Sequence, residues 1–439
     1  MSKKRYRKLE VPGRFTTPPE FTVRFDGKSY TARAGESLAL TLLAHGVYVV
    51  GRSSKYHRPR GAFCGRGECG HCLAQVNDLP NQRLCRCQSQ AELRVESQNV
   101  VGTAQFDLLS TLDWLFPQGL DHHHLMIESK TLNRVALAMA HELSGLGRLP
   151  PAPTDYVAPH PERRKVEVAV VGCGAAGRAA FDVLRAAGRE VVVIDSEPVT
   201  GDGVLGGLRV IGYYDERYLV AVGADRLLWL EADQVVLATG GVEQLPQVPG
   251  NDLPGIFSRR LTERALAAGI LPGQRVVVAA PKSASSSTRN CARALVMQLL
   301  DAGADVPATL GLGSNSGAAL SLEGGLGEVE GQHRVRAVHA DGGGDVFSCD
   351  ALIWCGPIAP AYELPRQMGL STPYQPTQQG FVPEHQGDGR TAQANVFVAG
   401  EVTGIEADQA AAHGAKVAQA VLASRTAGAS SVEVRHARA

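Results

Sequence analysis

GAFCGRGECGHCLAQVNDLPNQRLC, residues 61–85, decides the reading of this 439-residue chain. It contains Cys64, Cys69, Cys72 and Cys85, separated by four, two and twelve residues. That spacing suits a [2Fe–2S] cluster, in which each iron takes two thiolates in a roughly tetrahedral shell. A tight loop must bring three sulfurs around a compact cluster while a fourth arrives from a later segment. Such a cluster carries one electron at a time, so the chain is expected to handle electrons.

Gly65, Gly67 and Gly70 fall between the ligands. Glycine lets the backbone approach closely with positive φ, so that amide N–H groups point at sulfur. The spacing and glycines are those of a plant-type ferredoxin. The competing readings are a zinc site or free thiols. Zinc prefers paired CxxC ligands or mixed Cys/His sets, whereas here the gaps are uneven and His71 is pinned between ligands. Cys87, two residues beyond Cys85, reads as a bystander thiol, though it could substitute for Cys85.

Working outward, FTVRFDGKSYTA (21–32) alternates around Asp26-Gly27, a hairpin dipeptide. AGESLALTLLAHG (34–46) is helical, with Gly46 placed to end it. Strand, turn, strand, helix and cysteine loop follow the order of a ferredoxin β-grasp, and QSQAELRVESQNV (88–100) supplies a closing strand. Residues 101–150 read as helices and connections, and LPPAPTDYVAPHPER (149–163) as a linker.

The next segment, VEVAVVGCGAAGRAAFDVLRAAGREVVVIDSEP (166–198), reads as buried strand, glycine turn, helix and second buried strand. Gly172, Gly174 and Gly177 form GxGxxG, and Asp195 ends the second strand. A lone GxGxxG says little, but here strand, helix and acid all fall where a dinucleotide fingerprint needs them. Gly172 permits the turn and Gly174 the approach of a pyrophosphate to the helix N-terminus. Gly177 permits close helix–strand packing, and Asp195 would accept hydrogen bonds from a ribose. Ala175, Ala176 and Ser196 belong to the same candidate site.

DQVVLATGG (233–241), with Ala238, Thr239 and Gly240, and NVFVAGEVTG (395–404), with Gly400 and Glu401, complete a flavoprotein-like pattern. The helix ADQAAAHGAKVAQAVLAS (407–424) follows. Between them QRVVVAA (274–280) opens a second βαβ unit, but its turn, PKSASSSTRN (281–290), has no glycine. Side chains there would crowd a pyrophosphate, so nicotinamide binding is expected to be lost, although the serines and Lys282 could still hold a phosphate. The fold class is therefore α/β plus α+β, an N-terminal ferredoxin β-grasp domain followed by a two-lobed Rossmann-like FAD/NAD(P)-binding body.

Composition is permissive. Hydrophobic residues make up 44%, enough for several cores, and Lys+Arg and Asp+Glu are both 44, giving no net charge. Nothing there points to nucleic acid or to a membrane surface. MSKKRYRKLE is basic, but no apolar stretch follows as in a secretory signal, and no run approaches the ~20 apolar residues of a bilayer span. Cys173, Cys291, Cys349 and Cys355 read as buried free thiols, which fits a reducing, cytoplasmic compartment.

VGRSSKYHRPRGAFCGRGECGHC (50–72), RVIGYYDERYLVAV (209–222) and VVLATGGVEQLPQVPGNDLPGIF (235–257) together resemble heterotetrameric sarcosine oxidase α subunits and their relatives. Those relatives include subunits of hydrogen cyanide synthase, opine oxidases and dye-linked proline or hydroxyproline dehydrogenases. The resemblance runs from about residue 20 to about 425. It implies a ferredoxin-like domain over 1–100, a helical connection and Pro-rich linker over 101–163, and the first part of an FAD-type Rossmann domain over 164–255. A degenerate NAD(P)-type domain over 256–355 and a return to the FAD-type domain over 356–439 complete it.

The resemblance also implies a hetero-oligomer. A partner subunit with a D-amino-acid-oxidase-like fold oxidises the amine at its own FAD, in several members passing electrons through FMN at the interface. The ferredoxin-like domain sends them on to an external acceptor such as a quinone, ferredoxin or cytochrome. Members fill the dinucleotide site with FAD, NAD or ATP, and FAD is favoured here. Sarcosine oxidase α subunits often lack the four cysteines, so this chain resembles a dehydrogenase more than an oxygen-using oxidase, cytoplasmic or peripheral at the inner membrane face through partners.

Three departures stand out. No folate-binding domain is expected after residue 430. Only 42 residues separate Asp195 from Ala238, in a segment (EPVTGDGVLGGLRV, 197–210) where relatives carry a longer insertion. The family's Gly-Asp is Gly400-Glu401. His57, Arg58 and Arg60 could bind a phosphate, orient a partner or form a solvated loop, and His122, His123 and His124 read as a connecting tract. The leading expectation is an electron-transfer subunit of a flavin-dependent amine or amino-acid dehydrogenase. The alternatives are an NAD(P)H-dependent ferredoxin-type reductase, or a scaffold in which only the cluster is active.

Overall fold

In the computed structural model the described residues are 19–100, 102–105, 107, 145–147, 149–151 and 160–433, apart from 55, 216, 314 and 315; side chains are described as far as 424. The region read as a helical connection, with His122–His124, lies almost wholly outside them. The chain divides into two compact units, one formed by Met1–Ala152 with Leu245–Gly356, the other by Pro153–Gln244 with Pro357–Ala439.

The first unit opens with a hairpin, Glu20–Phe25 and Lys28–Arg33. Its turn works because Asp26 and Gly27 both take positive φ, 46° and 74°, which matches the twist of the strands it joins. Ser37 caps the helix Leu38–Ala44 through the Leu40 N–H, and Gly46 follows at φ 73°. The sheet runs Lys28–Arg33, Glu20–Phe25, Arg94–Ser97, Leu73–Val76, Leu79–Arg83. Glu20–Phe25 and Arg94–Ser97 are parallel and the other pairs antiparallel, a β-grasp around Val23, Phe25, Leu38, Leu42, Leu84 and Val95.

The same unit holds a five-stranded parallel sheet in the order Ile256–Ser258, Ala351–Trp354, Val276–Ala279, Ala308–Leu310, Leu320–Leu322. Val276–Ala279 is buried throughout, as expected for a parallel strand covered on both faces. The helices Arg259–Ala267 and Ser286–Asp301 pack on it. A three-stranded antiparallel sheet, Leu326–Gly331, Val335–Ala340 and Val346–Ser348, completes the unit.

The second unit is built on Glu162–Val171, which begins two residues inside the stretch read as linker. Its sheet runs Val204–Gly206, Val191–Asp195, Glu162–Val171, Leu227–Leu237, Tyr218–Val222, Arg209–Tyr214, with Val396–Val398 parallel to the end of Leu227–Leu237. The short 196–237 segment is thus spent on strands that extend this sheet. Ala175–Ala186 and Ala410–Glu433 lie against each other on one face. Among the described residues no helix is long and apolar enough to cross a membrane.

Those two helices touch at Gly414, where a Cβ would stand 2.1 Å from the Ala176 carbonyl oxygen. Gly414→Val is expected to lower stability by about 1–3 kcal/mol through overpacking. Thermal unfolding of the full chain measures it, and an unchanged midpoint would show that the helices can separate without cost.

Candidate functional sites: a thiol loop and a glycine turn

The four cysteines predicted as ligands meet. Cys64 shares side-chain hydrogen bonds with Cys69 and Cys85, and Cys72 with Cys85. These contacts, against the opposing effect of burial, hold Cys64 and Cys72 below the usual thiol range; they push Cys69 and Cys85 above it. Cys64, Cys72 and Cys85 are buried, and Cys69 alone reaches partly to solvent.

The loop is shaped by glycine. Gly65, Gly67 and Gly70 have φ of 68°, 78° and 66°, in the left-handed region that an L side chain enters only at a cost. That winding turns the N–H groups of Arg66 and Glu68 onto the Cys64 sulfur at 3.4 and 3.3 Å. Two backbone donors on one ligand sulfur, with four converging thiols, fit a [2Fe–2S] cluster, whose sulfurs need such hydrogen bonds. Cys87 stands apart, its thiol pushed up to about 11 by burial and then by the Cys72 charge.

The loop before the cysteines is tied to acidic groups, although the Arg58 side chain stays exposed. Arg60 donates to the Asp252 carboxylate at 2.9 Å, and Arg58 pairs with the same group at 3.7 Å. Burial alone would raise Asp252, but Arg60 and Arg58 bring it below its ordinary value. His57, at φ 49°, donates from Nδ1 to Asp107 at 3.1 Å. Arg52 donates to the His57 carbonyl at 2.7 Å.

In the second unit the glycine turn is assembled by close backbone approach. Gly172 has φ 103°, and a Cβ there would lie 2.2 Å from the Ala238 carbonyl oxygen. A Cβ on Gly177 would lie 1.9 Å from the Gly172 oxygen. Gly174 is different: it caps Ala175–Ala186, and a Cβ there would meet nothing within 4 Å. Open space at a helix N-terminus, beside unpaired N–H groups, is what a pyrophosphate requires.

The remaining predicted residues gather around this turn. Asp195, just before Ser196, accepts from the Cys173 N–H at 2.5 Å and the Glu197 N–H at 2.7 Å. A carboxylate has about four acceptor positions, so capacity remains for ribose hydroxyls. A Cβ on Gly400 would touch that of Ala176 at 2.5 Å, and one on Gly240 would lie 3.6 Å from a Glu401 carboxylate oxygen. The Glu401 carboxylate therefore stands beside Gly240. Thr239 donates to the Ala361 carbonyl at 3.1 Å.

His413 was not anticipated. Its Nδ1 accepts from the Gly400 N–H at 3.1 Å, tying the last helix to the turn. Burial, then the His385 and Lys416 charges, lower its pKa from 6.5. One other expectation changes: Cys173 and Cys291 are only partly buried, unlike Cys349 and Cys355. Lys282 pairs with Asp341 at 2.7 Å, both side chains largely exposed.

Residues 19–100 match the family described as a 2Fe-2S iron-sulfur cluster binding domain. The chain is 25% identical to sarcosine oxidase subunit alpha of Rhizobium meliloti over 412 residues, 79% of this chain and 40% of that one. It therefore spans less than half the length of that relative. To hydrogen cyanide synthase subunit HcnA of Pseudomonas aeruginosa it is 31% identical over 80 residues, 18% of this chain and 76% of that one. L-proline dehydrogenase from P. horikoshii shares the fold, with a TM-score of 0.65 and 20% identity over 95% of this chain and 75% of that one.

Gly174→Ala is expected to keep stability within about 1 kcal/mol while weakening dinucleotide binding by roughly tenfold, about 1.4 kcal/mol. Gly177→Ala should unfold the unit instead. Titration of the apoprotein with FAD and thermal unfolding separate the two outcomes. For His413, a lowered folded pKa means the unfolded chain binds the extra proton first, so stability is lost as pH falls below about 6.5. His413→Gln, which keeps an acceptor for Gly400, should flatten that loss in urea unfolding followed between pH 7 and 5.

Proposed function

The chain belongs to the α-type subunit family of sarcosine oxidase and hydrogen cyanide synthase, and we propose that it is the electron-transfer subunit of a flavin-dependent amine or amino-acid dehydrogenase. The observation that carries this reading is the glycine-wound loop that gathers Cys64, Cys69, Cys72 and Cys85 and aims two N–H groups at one of their sulfurs. FAD is the proposed ligand of the turn formed by Gly172, Gly174, Ala175, Ala176 and Gly177, with Asp195, Ser196, Ala238, Thr239, Gly240, Gly400 and Glu401 around it. When bound, flavin accepts two electrons and releases them singly, and a [2Fe–2S] cluster carries one at a time.

The chain's own residues divide the work. The N-terminus of Ala175–Ala186 binds the pyrophosphate, and Asp195 holds the ribose. Burial of Cys64, Cys72 and Cys85 excludes water from most of the cluster, and partly exposed Cys69 marks the side open to a redox partner. The substrate belongs to the sarcosine, proline, hydroxyproline or opine class. Its oxidation is assigned to a D-amino-acid-oxidase-like FAD subunit, with FMN at the interface in the manner of some relatives, and a quinone, ferredoxin or cytochrome receives the electrons.

A self-contained NAD(P)H-dependent reductase is disfavoured by the glycine-free turn at 281–285 and by the Lys282–Asp341 pair. Copurification with its partner chains, followed by acid release of cofactors, tests the proposal: flavin and two irons per chain are expected. Rapid cluster reduction by NADPH in the isolated chain would overturn it. Cys72→Ser should abolish transfer to an external acceptor while substrate still reduces flavin, and Cys87→Ser should leave transfer intact. Equal acceptor activity in Cys72→Ser and the parent would show that electrons bypass the cluster.

A further inference from the structure

The parallel sheet of the first unit has lost the glycines that would let its crevice hold a nucleotide, yet the crevice edge is not bare. Ser258 ends the edge strand Ile256–Ser258, and its N–H donates to the Phe63 carbonyl at 3.1 Å. Its hydroxyl accepts from the Leu261 N–H at 3.2 Å and so caps Arg259–Ala267. The cysteine loop thus arrives at the carboxyl end of that strand, the end where open α/β sheets bind their ligands.

The contact is close. A Cβ on Gly65 would lie 2.8 Å from the Leu261 Cδ1 and 3.2 Å from its Cα, so the loop backbone rests directly on the first turn of the helix. Phe63 and Cys64 share an apolar cluster with Ile256, Leu352 and Trp354 of the sheet. One turn further on, Arg264 Nη1 donates to the Gly65 carbonyl at 3.0 Å. That places a guanidinium beside the residue following a ligand cysteine. Glu263, the neighbouring acid, is paired with Arg259 at 2.5 Å.

We propose that Arg259–Ala267 is the mount of the cysteine loop and that Arg264, acting through the Gly65 carbonyl, is a positioning residue that raises the reduction potential of the cluster. This rests on the cluster reading given above. Reduction adds one electron and no proton, so the site gains one negative charge. A nearby fixed positive charge and the positive end of a helix both favour that state. The lobe that would otherwise face a nicotinamide thereby serves the iron–sulfur loop.

The test uses the full chain, reconstituted anaerobically with iron and sulfide and titrated with dithionite under electron paramagnetic resonance. Arg264→Gln should reduce the equilibrium constant for cluster reduction by roughly fivefold, the order expected for loss of a nearby unit charge in an intermediate dielectric. Arg264→Lys should restore most of it. Arg275→Gln, which removes an equal charge at the amino end of the same parallel sheet, just before Val276–Ala279, should leave the constant unchanged. If Arg264→Gln fails to hold its cluster, Arg264→Met, which keeps the apolar stem, carries the same measurement. Equal potentials in the parent and the neutral Arg264 variants overturn this proposal alone, as does an equal drop in Arg275→Gln. Absence of a reduced-cluster signal in the parent overturns the cluster assignment and this proposal with it.

Discussion

Glycine backbone pressed against its neighbours is the constraint on which both sites depend. At Gly65 the neighbour is Leu261, at Gly172 it is the Ala238 carbonyl, and at Gly177 it is the Gly172 carbonyl. In each case a single methyl group would occupy space already filled. The strain of positive φ at Gly65 and Gly172 adds to the steric argument. Cofactor chemistry here begins with the removal of side chains, which lets main-chain donors and helix ends do the binding.

The two units solve different problems with the same device. The thiol loop must enclose a compact inorganic centre, so it winds through three left-handed glycines and turns its N–H groups inward. The dinucleotide turn must leave a gap, so Gly174 faces open space while Gly172 and Gly177 are tightly packed. The turn at 281–285 shows the reverse condition. It caps its helix with Ser285 and pairs Lys282 with Asp341 at the surface, with side chains where the other turn has glycines.

Much of this was legible in residue order. The Asp26-Gly27 turn, the Gly46 helix end, the cysteine spacing and the strand–glycine–helix–strand–acid run are local patterns whose physics acts within a few residues or one βαβ unit. The reading of Asp195 was less complete. A strand-end acid was expected to serve a ribose, but it also accepts two backbone N–H groups, and so braces the turn it serves. The basic KYHRPRG stretch was read as a phosphate site, a partner contact or a solvated loop; Arg60 and exposed Arg58 pair with Asp252, and buried His57 with Asp107, acids that spacing did not point to.

Sequence by itself picked out the four cysteines and the glycine turn, because sulfur spacing and glycine placement are one-dimensional patterns. Only the tertiary structure decided what surrounds them. Arg264 and Gly65 are 199 residues apart in the chain, and His413 meets Gly400 from a separate helix. No periodicity or spacing links such pairs. They meet because the sheets bring distant strand ends together, and the glycines leave no side chain to keep them apart.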